Sequence, residues 1–338
     1  MSGVKRWQFW LGLVISLVFL YIALRGLHLD ELSQAFQNAN YWWLLPGVAV
    51  YFVAVWARAW RWHYLLKPLK SISTSELFPT VAIGYFGNNI LPARAGELLR
   101  AVVLKKDEDI PISASLATII VERVFDGVVM LGFIFINLAE LALLTTSSGF
   151  VGDIRTLALG GTVIFIGALL VFLAAAMYPG RAQAILAAFV SRFLPERFRE
   201  PILGFSNRFL GGLAALRSPR GALMIFLTSV VIWLLETGKY WFLMHAFPFR
   251  VSFFALMLMN GIVNLATTIP SAPGYVGTFD APGIAVLQAY NVPKATAAAY
   301  TLALHAALWL PITALGGYYM FKKGIHYSAE METLRAEA

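Results

Sequence analysis

From Trp7 to Leu24 the chain runs 18 residues without a charge. Roughly 20 apolar residues of helix cross a bilayer core. In hydrocarbon a segment must pair its own N–H and C=O groups, and a helix does so unaided. Several later runs are long enough to cross in the same way. Composition agrees: 59% of the 338 residues are hydrophobic and 13% charged, against about 25% charged in a soluble domain. The chain reads as an integral membrane protein. No small-residue cleavage site and polar mature region follow the first run, so it is a retained span and not a signal peptide. The formal charge of +8 sits mostly between the spans. Positive-inside bias and contact with anionic headgroups account for it, and nucleic acid is not expected. With no cysteine there is no disulfide, and cysteine usage does not report the compartment.

Counting basic residues gives a topology. Lys5 and Arg6 put the N-terminus in the cytoplasm, ahead of span one at 7–25. The loop with Arg25, Asp30 and Glu31 has no basic excess and suits the outer side. Span two, 41–65, ends among Arg58, Arg61, Lys67 and Lys70, with Trp56, Trp60 and Trp62 beside them. This pattern resembles an aromatic belt at a basic inner edge. The next apolar stretch, "LFPTVAIGYFGNNILP", is short for a crossing and has basic residues on both sides. It reads as a re-entrant hairpin that turns at Gly84, Gly87 and Pro92. Span three lies in 113–144 and span four at 155–178. The segment 181–220 carries seven arginines and a helical apolar stripe through Ile185, Phe189 and Phe193. It is either two cytoplasmic amphipathic helices broken at Pro195 and Pro201 or a loop packed on the bundle. Span five covers 221–247. Segment 252–291 is a second re-entrant hairpin or two true crossings. Span six, 295–321, precedes a polar tail at 323–338 that leaves the C-terminus cytoplasmic.

The expected architecture is all-α and polytopic: about six transmembrane helices plus two re-entrant helical hairpins in an inverted-topology repeat, a plan many transporters share. The first repeat is 1–145 and the second 150–322, within one membrane domain. Each hairpin offers Asn, Pro, Gly and an acid in that order: Asn89, Pro92, Gly96 and Glu97, then Asn264, Pro270, Gly277 and Asp280.

Ionisable groups at membrane depth are costly and mark pathways. In the first hairpin Glu97 lies three residues from both Arg94 and Arg100, so a helix gathers the three on one side. Arginine's fork of donors suits phosphate; a solvated interfacial loop is the plainer alternative. "ERVFD" opens span three, with Glu122 and Asp126 on one face and Arg123 able to pair with Asp126. It is a charged site meeting the first hairpin, or a structural ion pair. Glu236 and Lys239 lie deep in span five. They are a self-neutralising pair, or Lys239 holds lipid phosphate while Glu236 carries protons. Asn260, Asn264, Thr267 or Thr268, and Ser271 form a polar stripe leading into the turn of Pro270, Pro273, Gly274, Gly277 and Asp280. It lines a cavity or bonds neighbouring helices. The five histidines are dispersed without metal-ligand spacing, and His305 reads as packed. No P-loop, dinucleotide fingerprint or nucleophile elbow occurs, so no cofactor or metal is expected.

"NNILPARAGELLR", "ERVFD" and "PSAPGYVGTFDA" together resemble the signature blocks of the lysylphosphatidylglycerol synthase transmembrane region family, over roughly residues 8–322. The family pattern has Pro-Gly-Gly-x-Gly followed by Glu; here Tyr275 stands at the second Gly and Asp280 at the Glu. The resemblance implies a flippase-like domain that moves a phosphate-bearing lipid between leaflets, without the synthase domain. Only about 16 residues follow Lys322, too few for such a domain. The expected partner is a membrane lipid, with a separate lipid-synthesis enzyme as a second. The rivals are a membrane enzyme acting on a lipid phosphate and a scaffold for a lipid-synthesis complex that uses the basic 181–220 segment. The enzyme's one candidate metal-binding pair is Asp107 and Asp109 in "KKDEDIP".

Overall fold

The computed structural model describes residues 3–91, 95–144, 148–269 and 271–325. Pro92, Arg94 and Pro270 lie outside them. The described residues are helical and contain no strand. The elements are α1 (Gly3–Leu24), α2 (Leu29–Gln37), α3 (Leu44–Leu66), α4 (Thr74–Ile90), α5 (Ala95–Glu108), α6 (Ile112–Leu144) and α7 (Ser148–Met177). After them come α8 (Pro179–Phe193), α9 (Glu196–Gly212), α10 (Pro219–Met244), α11 (Phe253–Ala266), α12 (Asp280–Ala289) and α13 (Lys294–Lys322).

Four helical stretches are long and apolar enough to cross a membrane: Tyr41–Leu66, Ile154–Met177, Pro219–Met244 and Lys294–Lys322. Trp10–Leu24 and Leu29–Gln37 make a fifth if taken as one bent unit, and they meet at 87°. The bend corrects the expectation of a loop after span one. Gly26 turns the chain at a φ of +71, and Asp30 and Glu31 then favour the first turn of a new helix. Helix α6 runs 33 residues and carries Glu122, Arg123 and Asp126 on its described length.

The pattern of exposure is that of a protein in lipid. Val163 on α7 is 76% exposed, whereas Arg61 on α3 is 0%. Large apolar side chains face outward and charges face inward, which hydrocarbon favours and water penalises.

Helices α4 and α5 fold back on each other through glycines. A Cβ on Gly87 would meet the Gly96 Cα at 2.5 Å, and one on Gly96 would run into the carbonyl of Gly84. Gly96→Ala is expected to lower stability by ~1–3 kcal/mol, read from the unfolding midpoint in detergent. A variant that melts with the wild type would refute this close approach. Helix α11 likewise packs on α12. Each of these pairs also reaches across the molecule: α4 lies against α13, α11 against α6, and α3 against α10.

The 181–220 segment forms two helices, with Pro195 at the N-cap of α9. Pro201 does not break the chain, contrary to expectation; it lies inside α9. The proline forfeits one backbone hydrogen bond, and packing holds the helix beyond it. Leu210 is buried, and Gly212 lies so close to the Ala114 carbonyl of α6 that no side chain fits. Ile185, Phe189 and Phe193 remain exposed on α8.

Candidate functional site

Arg58 and Arg61 stand three apart on one face of α3, both buried. The sequence pattern suggested a basic inner edge here, but both side chains turn inward to buried carboxylates and not outward. They are the centre of a charge network. Arg61 grips Asp126 with both terminal nitrogens, at 2.5 and 3.3 Å, and donates to the Ser229 hydroxyl at 2.8 Å. The Trp233 indole N–H also donates to Asp126, at 2.8 Å. Arg58 donates to Glu236 at 3.1 Å, and Glu236 in turn pairs with Lys239.

The α5 residues join from the other side. Arg100 donates to Glu122 at 2.6 Å and lies over the Trp62 ring at 4.2 Å. Glu97 is 3.7 Å from Arg123, and Arg123 is 3.4 Å from Asp126. The sequence therefore anticipated the meeting of α5 with "ERVFD", the Arg123–Asp126 pair and the Glu236–Lys239 pair. It did not anticipate that α3 supplies two arginines to the same network.

A cavity of about 160 Å³ opens beside this network. At about 30 Å³ of liquid volume per water it has room for roughly five waters. Asn89, Gly96, Glu97, Arg100, Arg123, Glu236, Lys239, Asn264 and Gly274 line it as candidates from sequence. Glu122 and Asp126 stand behind the wall, paired to its Arg100 and Arg123. Asp280 is also off the wall: it is 1% exposed and accepts from the Gly277 N–H at 2.9 Å. Gly277 has a φ of +81, and Pro273 begins the short helical turn Pro273–Tyr275. Asn260 is fully buried and donates to Thr237 on α10 at 3.1 Å, a structural bond; Asn264 and Thr267 of the same stripe reach the cavity.

Sequence reasoning missed Arg58, Tyr51, Tyr85, Trp233, His305 and Trp309 on the wall. The i, i+3 arginines inside an otherwise uncharged helix were the available signal for Arg58. The aromatics gave none, because such residues are common in any apolar helix. Tyr275 has a φ of +61, a left-handed conformation that costs a residue with a β-carbon roughly 1–2 kcal/mol. Its ring reaches the cavity.

Cations outnumber acids among the residues that line the wall. Arg58, Arg100, Arg123 and Lys239 face it against Glu97 and Glu236 among the described residues. In addition the Arg58 and Arg100 Nε–H donors are buried without a hydrogen-bond partner among the described residues, which costs about 1–3 kcal/mol for each group. Such a surface suits a ligand with anionic oxygens.

An apolar outer face around an internal charged cavity defines an integral membrane protein with a polar interior site. The chain belongs to the lysylphosphatidylglycerol synthase transmembrane region family, whose model matches residues 9–316. It is similar to the glycosyltransferase AglD of Haloferax volcanii, with 30% identity over 90% of this chain and 52% of that protein. The chain thus spans about half the length of AglD. It is also similar to the UPF0104 membrane proteins MJ1595 of Methanocaldococcus jannaschii and PH1989 of Pyrococcus horikoshii. Identity is 26% and 25%, and 95% and 96% of those proteins are covered. No solved structure matches the chain.

Proposed function

We propose that the protein is a lipid flippase that moves a phosphate-bearing lipid between leaflets through this cavity. The excess of cations on the cavity wall carries the proposal. Arg58, Arg100, Arg123 and Lys239 hold the head phosphate while the acyl chains stay in the bilayer. The acids keep the cations oriented or meet a cationic group of the headgroup. With no nucleotide-binding motif in the sequence, an ion gradient drives the lipid or it runs downhill.

The proposal includes the inverted repeat, with six spans and two re-entrant hairpins. The contact pattern supports it. The first arm of each hairpin, α4 or α11, packs on the last long helix of the opposite half, α13 or α6. Both hairpins contribute to one cavity. Rocking of one half against the other alternates access to such a site.

The test is reconstitution into liposomes with a fluorescent phospholipid. Arg123 is 37% exposed on its side chain, and in Arg123→Ala the buried pairs Arg61–Asp126 and Arg100–Glu122 keep their own contacts. Losing one charge-assisted contact of about 1.5–3 kcal/mol is expected to slow lipid movement roughly 10–100-fold. Equal rates for the variant and the wild type would discard the site.

A second reading, a membrane enzyme acting on a lipid phosphate, draws on the name of AglD. The acids it requires are engaged elsewhere: Asp107 with Lys323, Glu108 with Lys70 and Asp109 with Lys105. Turnover of a lipid phosphate by the purified protein, lost in Asp107→Ala, would decide for it.

A further inference from the structure

His305 on α13 joins the cavity to the tip of the second hairpin. Its Nδ1 is 2.9 Å from Asp280 Oδ1 and its Nε2 is 2.6 Å from the Gly274 carbonyl oxygen. Phe279 covers the ring at 4.6 Å between centroids. A carbonyl oxygen only accepts, so Nε2 carries a proton. A neutral imidazole has one N–H, and Nδ1 would then aim a lone pair at the lone pairs of an ionised carboxylate. The observed contact needs one more proton, on Nδ1 or on Asp280. With it the pair is neutral as a unit; without it the pair is an uncompensated anion at a carboxylate that is 1% exposed.

We propose that His305 and Asp280 form a proton-binding site that holds the tip of the second hairpin against α13. That tip is also the meeting point with the first hairpin. The turn at Pro273–Tyr275 packs on α4, and Trp309, one helical turn beyond His305, donates to the Asn89 carbonyl at 3.4 Å. Loss of the proton leaves one ring nitrogen's lone pair facing an acceptor, either the buried Asp280 carboxylate or the Gly274 carbonyl oxygen, and separation of the tip from α13 relieves either clash. His305 lines the cavity, so the proton enters from the same water that receives the ligand.

The other charged groups on that wall are Arg58, Glu97, Arg100, Arg123, Glu236 and Lys239, and Tyr51, Tyr85 and Tyr275 share it. Directly behind it lie Glu122 and Asp126, paired to Arg100 and Arg123, and Arg61. Among the described residues the five cations exceed the four acids by one charge, and that excess opposes protonation of the pair. An anionic headgroup cancels that field, so headgroup and proton bind with positive linkage, each raising the affinity of the other. This last step rests on the lipid reading; the proton site itself does not.

The chain has no cysteine, so a single Thr278→Cys reports on the tip alone. Thr278 is fully buried in the turn. Maleimide labelling is measured from about pH 5.5 to about pH 9, the range in which histidine pairs titrate. Rates are divided by those in the same variant carrying Asp280→Asn, which removes the thiol's own ionisation. The amide accepts from Gly277 and donates to neutral His305, mimicking the protonated pair at every pH. The ratio is expected to rise about tenfold or more as the proton leaves, since one pH unit corresponds to a tenfold change. A flat ratio overturns the proton site.

Histidine ¹⁵N resonances of the full-length protein, with His305 assigned through His305→Gln, give the same answer without Thr278→Cys. His305 is expected to titrate in the wild type and to stay neutral in Asp280→Asn. Identical titration in both overturns the site. Nanodiscs containing phosphatidylglycerol should raise the transition pH over that in phosphatidylcholine alone, and an unmoved transition overturns the linkage to the headgroup. None of these readouts measures transport, so their failure is separate from failure of the flippase reading.

Discussion

Asp126→Ala is expected to cost ~3–5 kcal/mol of stability, the usual penalty for leaving a buried charge without its partner. Arg61 is 0% exposed, and its shortest ionic contact is with Asp126, at 2.5 Å. The same carboxylate accepts from Trp233 and lies 3.4 Å from Arg123 and 3.8 Å from Arg58. Removing it strands a guanidinium inside the bundle and loosens α3, α6 and α10 together. The unfolding midpoint of purified protein in detergent measures the loss. Asp107→Ala is the control, because its partnership with Lys323 is about a quarter exposed on each side chain and ion pairs near solvent contribute about 0–1 kcal/mol. Asp126→Ala melting no lower than Asp107→Ala would show that the network does not hold the fold.

Lys239→Met is expected to weaken binding of a phospholipid by roughly 10–100-fold, for a lost charge-assisted bond of about 1.5–3 kcal/mol. Methionine keeps much of the volume packed against Tyr51, over whose ring the ammonium lies at 4.4 Å. Glu236 does not become an orphan, because Arg58 still donates to it at 3.1 Å. The wall loses one of its four cations while the Arg58–Glu236 pair beside it survives, so affinity falls further than stability does. The affinity of a labelled phospholipid in nanodiscs is the measurement. Binding unchanged in Lys239→Met but lost in Glu97→Gln would mean that the site reads a cationic headgroup instead of phosphate.

The charge pairs that sequence made legible were local in the chain or lay in motifs. Glu236 and Lys239 are three apart on one helix, as are Arg123 and Asp126, and helical spacing alone brings such residues together. Arg58 and Arg61 were also visible as charges, but beside Trp56, Trp60 and Lys67 they matched the pattern of an inner membrane edge. Their carboxylate partners lie 65 and 178 residues away, a distance that no periodicity spans. His305 was passed over for the same reason: Asp280 and Gly274 lie 25 and 31 residues before it.

The sequence by itself determined that the protein lives in lipid and is built of helices. An uncharged run of 18 residues has no other way to satisfy its backbone away from water. Glycine and proline act on the backbone locally, and they set the turn at Gly26 and the start of α9 at Pro195, but not a break at Pro201, which lies inside α9. Only the tertiary structure decided which charges share a cavity and which stand behind its wall. It brought α3 against α10 and α5 against α6, and ionic partners chosen in that way depend on how the helices pack, not on the order of the residues.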